Sequence, residues 1–402
     1  MNIFNAIKIT ENVYWVGVID WELRNFHGYE TSRGTTYNAY LILGEKPILI
    51  DTVKKPFMNE MLARISSIID PKKIKYIVSN HAEMDHSGSL PEMIKLINPE
   101  KVFASTVGVT TLKEHFHFDY EITGVKTGET ITLGNTKLTF VETKMLHWPE
   151  SMFTYCHSEK ILFSQDAFGM HFANSSLFYD VYDQCVVEYE AKKYFANILL
   201  PYSALVTKLL EHLPTLNLEI DTIAPAHGPI WRGKAGVKKA IDLWTKWAQK
   251  PYAPTAIVLY ESMWGSTAAM AQAIAEGLTE NQIVTKLMCA SKTHRSDVIT
   301  ELLDAGALIV GSSTLNQQIL PEMADIMCYI KGLKPKNLVG QAFGSYGWAP
   351  DSPKILLDDL QKMNIEIIGE PIKIKYVPTA DDLAKCRLLG ANIATSLKKH
   401  LL

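Results

Sequence analysis

The hydrophobic and polar positions of the chain follow two different rhythms, which meet near residue 251. In the first part, short strand-like runs alternate with helical ones. Segments 38–53 and 131–143 read as hairpins with glycine-bearing turns, and 56–70 has apolar residues at helical spacing. From residue 255 onward, five apolar strand candidates, the last at 365–376, are separated by helical stretches. This alternation predicts a doubly wound parallel sheet that is buried on both faces.

The change of rhythm coincides with a helix stop. The helical pattern of 238–255 ends at Pro251 and Pro254, and proline cannot continue a helix. A chain of 402 residues also exceeds one typical domain. We therefore predict two domains, 1–250 and 251–402.

Composition narrows the possible environments and partners. A formal net charge of −3 gives no reason to expect nucleic acid or an anionic membrane as partner. The sequence shows no secretory leader and no run of ~18 apolar residues. Its five cysteines are scattered and form no CxxC pair. We expect a cytoplasmic protein that binds neither nucleic acid nor membranes.

The densest chemical signal is NHAEMDHSG, residues 80–88, directly after a strand predicted at 75–79. A single HxE would read as an ordinary polar loop. Four ionisable groups in one loop are costly to place together unless a cation neutralises the carboxylates. The candidate ligands in this loop are His81, Glu83, Asp85 and His86.

Three more candidate ligands occupy the same kind of position. His147, Asp166 and His227 each follow an apolar run, where a strand end opens into a cleft. The other histidines lack this setting and are predicted to be packing or surface residues: His115, His117, His157, His171, His212, His294 and His400.

The second predicted domain carries three loops suited to a phosphate and a flat ring. Its first strand runs into a hydroxyl-rich helix start, where N–H groups bind phosphate. In a flavodoxin-like sheet of order 2-1-3-4-5, the ends of the first, third and fourth strands line one crevice. No GxGxxG is present, which favours FMN over a dinucleotide. The predicted FMN-binding residues are Ser262, Met263, Trp264, Gly265, Ser266, Thr267, Ser313, Thr314, Leu315, Asn316, Gln317, Ser345, Tyr346, Gly347 and Trp348.

The order H-x-E-x-D-H followed by His, Asp and His resembles the metallo-β-lactamase superfamily. This resemblance implies an αββα sandwich with two metals at the strand ends. Zinc hydrolases of the superfamily usually have histidine where this chain has Glu83, and a hard anionic oxygen favours iron. The resemblance assigns His81, Glu83 and His147 to one iron, Asp85, His86 and His227 to the other, and Asp166 to the bridge.

Such a domain followed by a flavodoxin domain resembles the flavodiiron proteins, and the resemblance extends to segments 21–41, 145–155 and 224–232. It implies reduction of O2 or NO at two irons, with FMN as the electron relay. The electron donor would be rubredoxin or a reduced deazaflavin coenzyme. The resemblance further implies a head-to-tail homodimer, or a dimer of dimers.

The resemblance also assigns residues beside the metals and marks departures. His27 corresponds to a pocket residue of the family, and Phe195 stands where relatives often have a second tyrosine after Tyr194. Ser313 and Leu315 replace a proline and a histidine that are frequent in the second flavin loop.

Two alternatives remain open from the residues alone. One is a di-zinc hydrolase with an accessory flavodoxin module, in which the metals activate water. The other is a flavodoxin-type electron carrier whose first domain serves as a docking platform. The sequence also leaves open the preference between O2 and NO.

Overall fold

The computed structural model describes residues 4–401. Their contacts divide the chain into two compact units. The first comprises the described residues up to His27, Thr31–Tyr194 and Tyr202–Thr245, and the second comprises Gly28–Glu30, Phe195–Pro201 and the residues from Lys246 onward. The predicted domain boundary at residue 250 remains a prediction.

Residues 4–250 contain many short strands and seven α-helices. Its strands are β1 (Ile7–Lys8), β2 (Val13–Trp15), β3 (Val18–Asp20), β4 (Asn25–Phe26), β5 (Tyr29–Glu30), β6 (Thr35–Tyr37), β7 (Tyr40–Ile42), β8 (Ile48–Ile50), β9 (Tyr76–Ser79), β10 (Lys101–Ser105), β11 (Ile122–Val125), β12 (Thr130–Leu133), β13 (Thr136–Glu142), β14 (Met152–Cys156), β15 (Ile161–Gln165), β16 (Thr222–Pro225) and β17 (Trp231–Arg232). Its helices are α1 (Met58–Ser66), α2 (Met84–Ser87), α3 (Leu90–Ile97), α4 (Thr106–Phe116), α5 (Gln184–Tyr194), α6 (Ser203–His212) and α7 (Gly233–Gln249).

Beyond residue 250, helices and strands alternate. The strands are β18 (Thr255–Glu261), β19 (Val284–Cys289), β20 (Ala307–Ser312), β21 (Val339–Tyr346), β22 (Glu366–Ile367) and β23 (Ile372–Lys375). The helices are α8 (Ser266–Glu280), α9 (Arg295–Leu303), α10 (Pro321–Leu333), α11 (Asp351–Lys362) and α12 (Ala380–Lys399). Within residues 4–401, no helix has the length and apolarity needed to span a lipid bilayer.

The first unit is built on a seven-stranded sheet, β1-β2-β7-β8-β9-β10-β11, and a six-stranded sheet, β12-β13-β14-β15-β16-β17. Alternation along the strands explains the layers, because successive side chains point to opposite faces. Tyr40 and Ile42 lie in the core between the two sheets, whereas Leu41 lies in the core beneath helices α1 and α3. The predicted αββα architecture is confirmed, as are the hairpins β7–β8 and β12–β13.

The second unit contains a parallel sheet of order β19-β18-β20-β21-β22, which is the predicted order 2-1-3-4-5. One expectation was wrong. The fifth predicted strand, 365–376, is two strands, β22 and β23, and both pair with β21. Gly369 has a left-handed φ of +73° and Pro371 lacks an N–H donor, so the chain leaves the ladder between the two strands.

Candidate functional site

The loop after β9 leads directly into α2, a helix of only four residues, and the charged side chains of 80–88 lie in this loop and helix. Glu83 is the N-cap residue of α2, and Gly88 is its C-cap. A Cβ on Gly88 would collide with the carbonyl of Met84, so glycine is required at the close of this turn. His81, Glu83, Asp85 and His86 therefore all lie within seven residues of the end of a buried strand.

A first group of ligand atoms converges around one oxygen of Asp166. Its Oδ2 lies 3.1 Å from Nε2 of His81 and 3.0 Å from Nε2 of His147. Oε2 of Glu83 lies 3.3 Å and 3.2 Å from the same two nitrogens. The four donors therefore surround a common point.

A second group converges around the other oxygen of Asp166. Its Oδ1 lies 3.2 Å from Nε2 of His86 and 3.4 Å from Nε2 of His227. Oδ2 of Asp85 lies 3.3 Å and 3.2 Å from those nitrogens. Asp166 thus turns one oxygen toward each group, as a bridging ligand would. The two groups have the membership that the family resemblance assigned, and the role of these residues as ligands remains a prediction.

The unsatisfied atoms of this site fit metal ions. Both oxygens of Asp85, both ring nitrogens of His86 and Oδ1 of Asp166 are buried and make no hydrogen bond within residues 4–401. Buried polar atoms without partners are rare and destabilising. Donor atoms that lie 3.0–3.4 Å from one another can share a cation at bond lengths of ~2.0–2.2 Å. The residues present therefore fit two metal ions.

Without a metal, protons on the histidines balance the carboxylates. Burial lowers the pKa of His81, but hydrogen bonds with Asp166, Glu150 and Glu83 outweigh burial and raise it well above its usual range. In the same way, burial opposes protonation of His86, while Asp85 and Asp166 raise its pKa to about 9. Burial works against ionised Glu83, yet its histidine partners hold the pKa of that carboxyl below its usual value. Metal binding must displace these protons.

Two groups that sequence reasoning missed orient the histidines. Nδ1 of His81 lies 2.7 Å from Oε1 of Glu150, which also accepts a hydrogen bond from the N–H of Ala82 at 3.0 Å. Nδ1 of His227 donates to the carbonyl of Thr36 at 2.6 Å. Both bonds fix the tautomer that leaves Nε2 free for a metal. The only sequence signal for Glu150 was its place three residues after His147.

His171 was predicted to be a packing or surface residue, and the structure buries it beside the metal groups. Its ring lies 4.8 Å from that of His227, and Nδ1 is 2.9 Å from Oγ1 of Thr35. Burial, reinforced by the neighbouring His227, holds its pKa well below the usual range. His171 therefore stays neutral. Neither spacing nor position in the chain pointed to this proximity.

The two residues that the resemblance placed beside the metals differ in their surroundings. His27 is exposed, with Nε2 3.6 Å from Oε1 of Glu83. Phe195 is buried with its ring 5.7 Å from that of Trp247. Its neighbour Tyr194 is buried too, and burial together with the nearby charge of Asp166 raises the pKa of the Tyr194 phenol well above its usual range. The predicted roles of His27 and Phe195 remain predictions.

The second unit has a groove of about 820 Å³ where the three predicted flavin loops meet. All the predicted FMN-binding residues line it except Ser262, Gly265 and Thr267. Thr267 lies beneath the groove, and its Oγ1 is 2.8 Å from Oγ of Ser345 and 3.0 Å from Oγ of Ser313. Hydrogen bonds among these three hydroxyls therefore connect the three loops.

The walls of the groove suit a flat ring with an anionic tail. Trp264 and Trp348 are 93 % and 88 % exposed, which leaves their ring faces available for stacking. Gly265, at φ +87°, is the N-cap of α8, whose first N–H groups suit a phosphate. Tyr376 and Val377 also line the groove, and sequence reasoning missed them because they follow β23.

Comparison with known proteins assigns each half of the chain to a family model. Residues 35–228 match the ODP family beta lactamase, and residues 258–390 match flavodoxin. The first match covers all seven candidate metal ligands, and the second covers the three flavin loops.

Whole-chain relatives share both halves. A nitric oxide reductase of Moorella thermoacetica is 45% identical over 97% of this chain and 98% of its own length. The structure of rubredoxin oxygen:oxidoreductase from Desulfovibrio gigas matches with a TM-score of 0.97 and 42% identity, covering 99% of this chain and 100% of that one. The flavodiiron protein of Giardia intestinalis matches with a TM-score of 0.94 and 34% identity, covering 98% and 97% of the two chains.

Proposed function

The chain belongs to the flavodiiron protein family, and on this premise we propose that it reduces both O2, to water, and NO, to nitrous oxide, at one non-haem di-iron centre. Its predicted class, an oxidoreductase that uses FMN and two irons, is confirmed by this membership. The observation that carries the proposal is Asp166, which turns one carboxylate oxygen toward each of two histidine-rich groups.

The side chains have separate tasks in this chemistry. When bound, the irons and FMN supply the one-electron steps, which none of these side chains performs. His81, Glu83 and His147 would hold one metal, and Asp85, His86 and His227 the other. Asp166, which is fully buried, would help to hold both metals. Tyr194, whose pKa is raised by burial and by Asp166, keeps its proton and offers an O–H beside that carboxylate.

The test compares both substrates on one preparation. The purified chain should contain two irons and one FMN, and it should consume O2 and NO when reduced rubredoxin is supplied. Zinc at the metal site, with no consumption of either gas, would instead indicate a hydrolase. Reduction of FMN without consumption of O2 or NO would indicate an electron carrier.

We further propose a cytoplasmic enzyme whose donor is rubredoxin, with a reduced deazaflavin coenzyme as the second donor to test. A relative named for rubredoxin supports the first choice. Rates with each donor, measured at equal potential and concentration, decide between them. A chain that accepts electrons from neither would contradict both assignments.

Finally, we propose a head-to-tail homodimer in which the flavin of one subunit serves the irons of the other. The metal ligands all lie in the first unit and the flavin groove in the second, and a two-fold axis would create two such pairings at once. A mixed dimer tests this, with one subunit lacking metal (His81→Ala with His147→Ala) and its partner lacking FMN (Ser266→Ala with Trp348→Ala). Recovery of activity supports transfer between subunits, and a folded but inactive mixed dimer excludes it.

A further inference from the structure

The ligand histidines are backed by different groups on the side away from the metals. Nδ1 of His81 lies 2.7 Å from the carboxylate of Glu150, whereas Nδ1 of His227 faces two neutral groups, the carbonyl of Thr36 at 2.6 Å and the hydroxyl of Thr35 at 3.3 Å. Nδ1 of His86 is buried without a hydrogen-bond acceptor anywhere in the described chain. The two metal groups are therefore unequal in the charge behind their histidines.

Glu150 is held firmly and directs its charge at His81. The residue is 2 % exposed, and its Oε1 accepts from both His81 and the N–H of Ala82. Its Oε2 is buried and receives no hydrogen bond from residues 4–401. Oγ of Ser105 donates to the backbone carbonyl of Glu150 at 2.6 Å and fixes the backbone there. The imidazole of His81 is thus the one side-chain donor that this carboxylate contacts among the described residues.

A count of carboxylates shows the same asymmetry. The group around His81 contains Glu83, one oxygen of Asp166 and, behind the histidine, Glu150. The group around His227 contains Asp85 and the other oxygen of Asp166. One further buried carboxylate, Asp51, makes no hydrogen bond to a ligand histidine, although its charge acts on His86 and His81 through space. It accepts hydrogen bonds from the N–H and the side-chain amide of Asn80 at 2.6 and 2.9 Å.

We propose that Glu150 is a positioning residue that acts through His81 to make the metal of the His81 group easier to oxidise than the metal of the His227 group. When a carboxylate accepts a hydrogen bond from the N–H of an imidazole, the other ring nitrogen, which binds the metal, becomes more basic. The added electron density stabilises the ferric form. The metal of the His81 group would therefore lose the first electron. The acceptor would be O2 or NO in turnover and the mediator in a redox titration. This inference rests on the proposed di-iron function.

The decisive variant is Glu150→Gln, whose amide oxygen still accepts from His81 and Ala82 but carries no charge. The measurement is a mediator titration of the loaded enzyme, followed by the electron paramagnetic resonance signal of the half-oxidised pair. Loss of the charge should raise the first oxidation potential and narrow the gap between the two iron potentials, with iron and FMN content unchanged. An unchanged or wider gap in iron-loaded Glu150→Gln would overturn the proposal.

Two further variants keep the test decisive. Asp51→Asn also removes a buried carboxylate, but one whose charge acts on His86 and His81 only through space and not through a hydrogen bond, so the gap should change less than in Glu150→Gln. If Glu150→Gln does not retain iron, Ser105→Ala weakens the hold on the Glu150 backbone and should narrow the gap less, in the same direction. An unchanged gap there would contradict the role of Glu150. Failure of the di-iron assignment would look different, because the wild-type chain itself would show no iron signal.

Discussion

The metal centre and the flavin groove differ in burial and in charge. The metal groups are buried and charged, with Asp85, Asp166, His86 and His227 almost inaccessible to solvent. The groove instead presents exposed rings, Trp264 and Trp348, above a floor of neutral hydroxyls.

The difference shows which site depends on its ligand. In the metal centre, carboxylate oxygens and imidazole nitrogens remain without hydrogen bonds, so a cation completes their interactions. In the groove, Thr267, Ser313 and Ser345 already bond to one another, so the loops are satisfied without a flavin. We therefore expect metal loss to disturb the fold around its site, and flavin loss to leave the second unit intact.

The largest effect is expected from Asp166→Ala, which removes the oxygen atoms shared by both groups. Both metals should be lost together, with the affinity for iron reduced by more than the roughly 10- to 100-fold typical of an outer partner. FMN content should not change. Metal analysis and flavin absorbance on the same sample check this, with exposed Asp119→Ala as the matched control. Loss of only one metal would contradict the role of Asp166 as a ligand shared by both metals.

The next effect concerns the kind of metal rather than its presence. Glu83→His removes the hard anionic oxygen that lies 3.2–3.3 Å from His147 and His81, and it should shift the as-isolated metal from iron toward zinc. O2 consumption should be abolished while FMN stays bound. Elemental analysis gives the answer, with Glu114→His, a change on an exposed part of α4, as the control. Unchanged iron content and turnover would refute selection by Glu83.

A smaller effect is expected beneath the flavin. Thr267→Val keeps the side-chain volume but removes the two hydrogen bonds of the Thr267 hydroxyl to Ser313 and Ser345, which should reduce the free energy of unfolding of the chain by ~1–3 kcal/mol. Chemical denaturation measures this change. The matched control is Thr279→Val, farther along the same helix, whose hydroxyl bonds only to the Ala275 carbonyl at an exposed position. Equal losses in the two variants would mean that the hydroxyl cluster has no special role.

The smallest effect sharpens the contrast between the sites. Trp348→Ala removes a stacking face and should weaken FMN binding by ~1 kcal/mol, a several-fold increase in dissociation constant, without changing iron content. Fluorescence titration of FMN into the apo-chain measures it. Trp21→Ala, an exposed tryptophan of the first unit, is the control. Loss of iron with retention of flavin would show that the two sites have been interchanged.

Local chemistry in the sequence was sufficient for the ligand candidates and the layers. The spacing in 80–88 gathers four donors in one loop and the short helix that follows it, and successive apolar residues in β7 and β8 point alternately into two cores. Both signals are local, because they follow from the geometry of a single element. Alternation of strands and helices also predicted the parallel sheet of the second unit, whereas its strand order was the one expected of a flavodoxin-like sheet.

Distances between separate segments were decided only by the tertiary structure. Glu150 behind His81, His171 beside His227 and Tyr376 at the groove come from parts of the chain whose local pattern is unremarkable. The split of the fifth strand likewise depended on where β21 offers partners. The physical reason is that a sequence specifies which atoms can bind a metal or accept a proton, whereas the meeting of loops after β9, β13, β15 and β16 determines which of those atoms come within bonding distance.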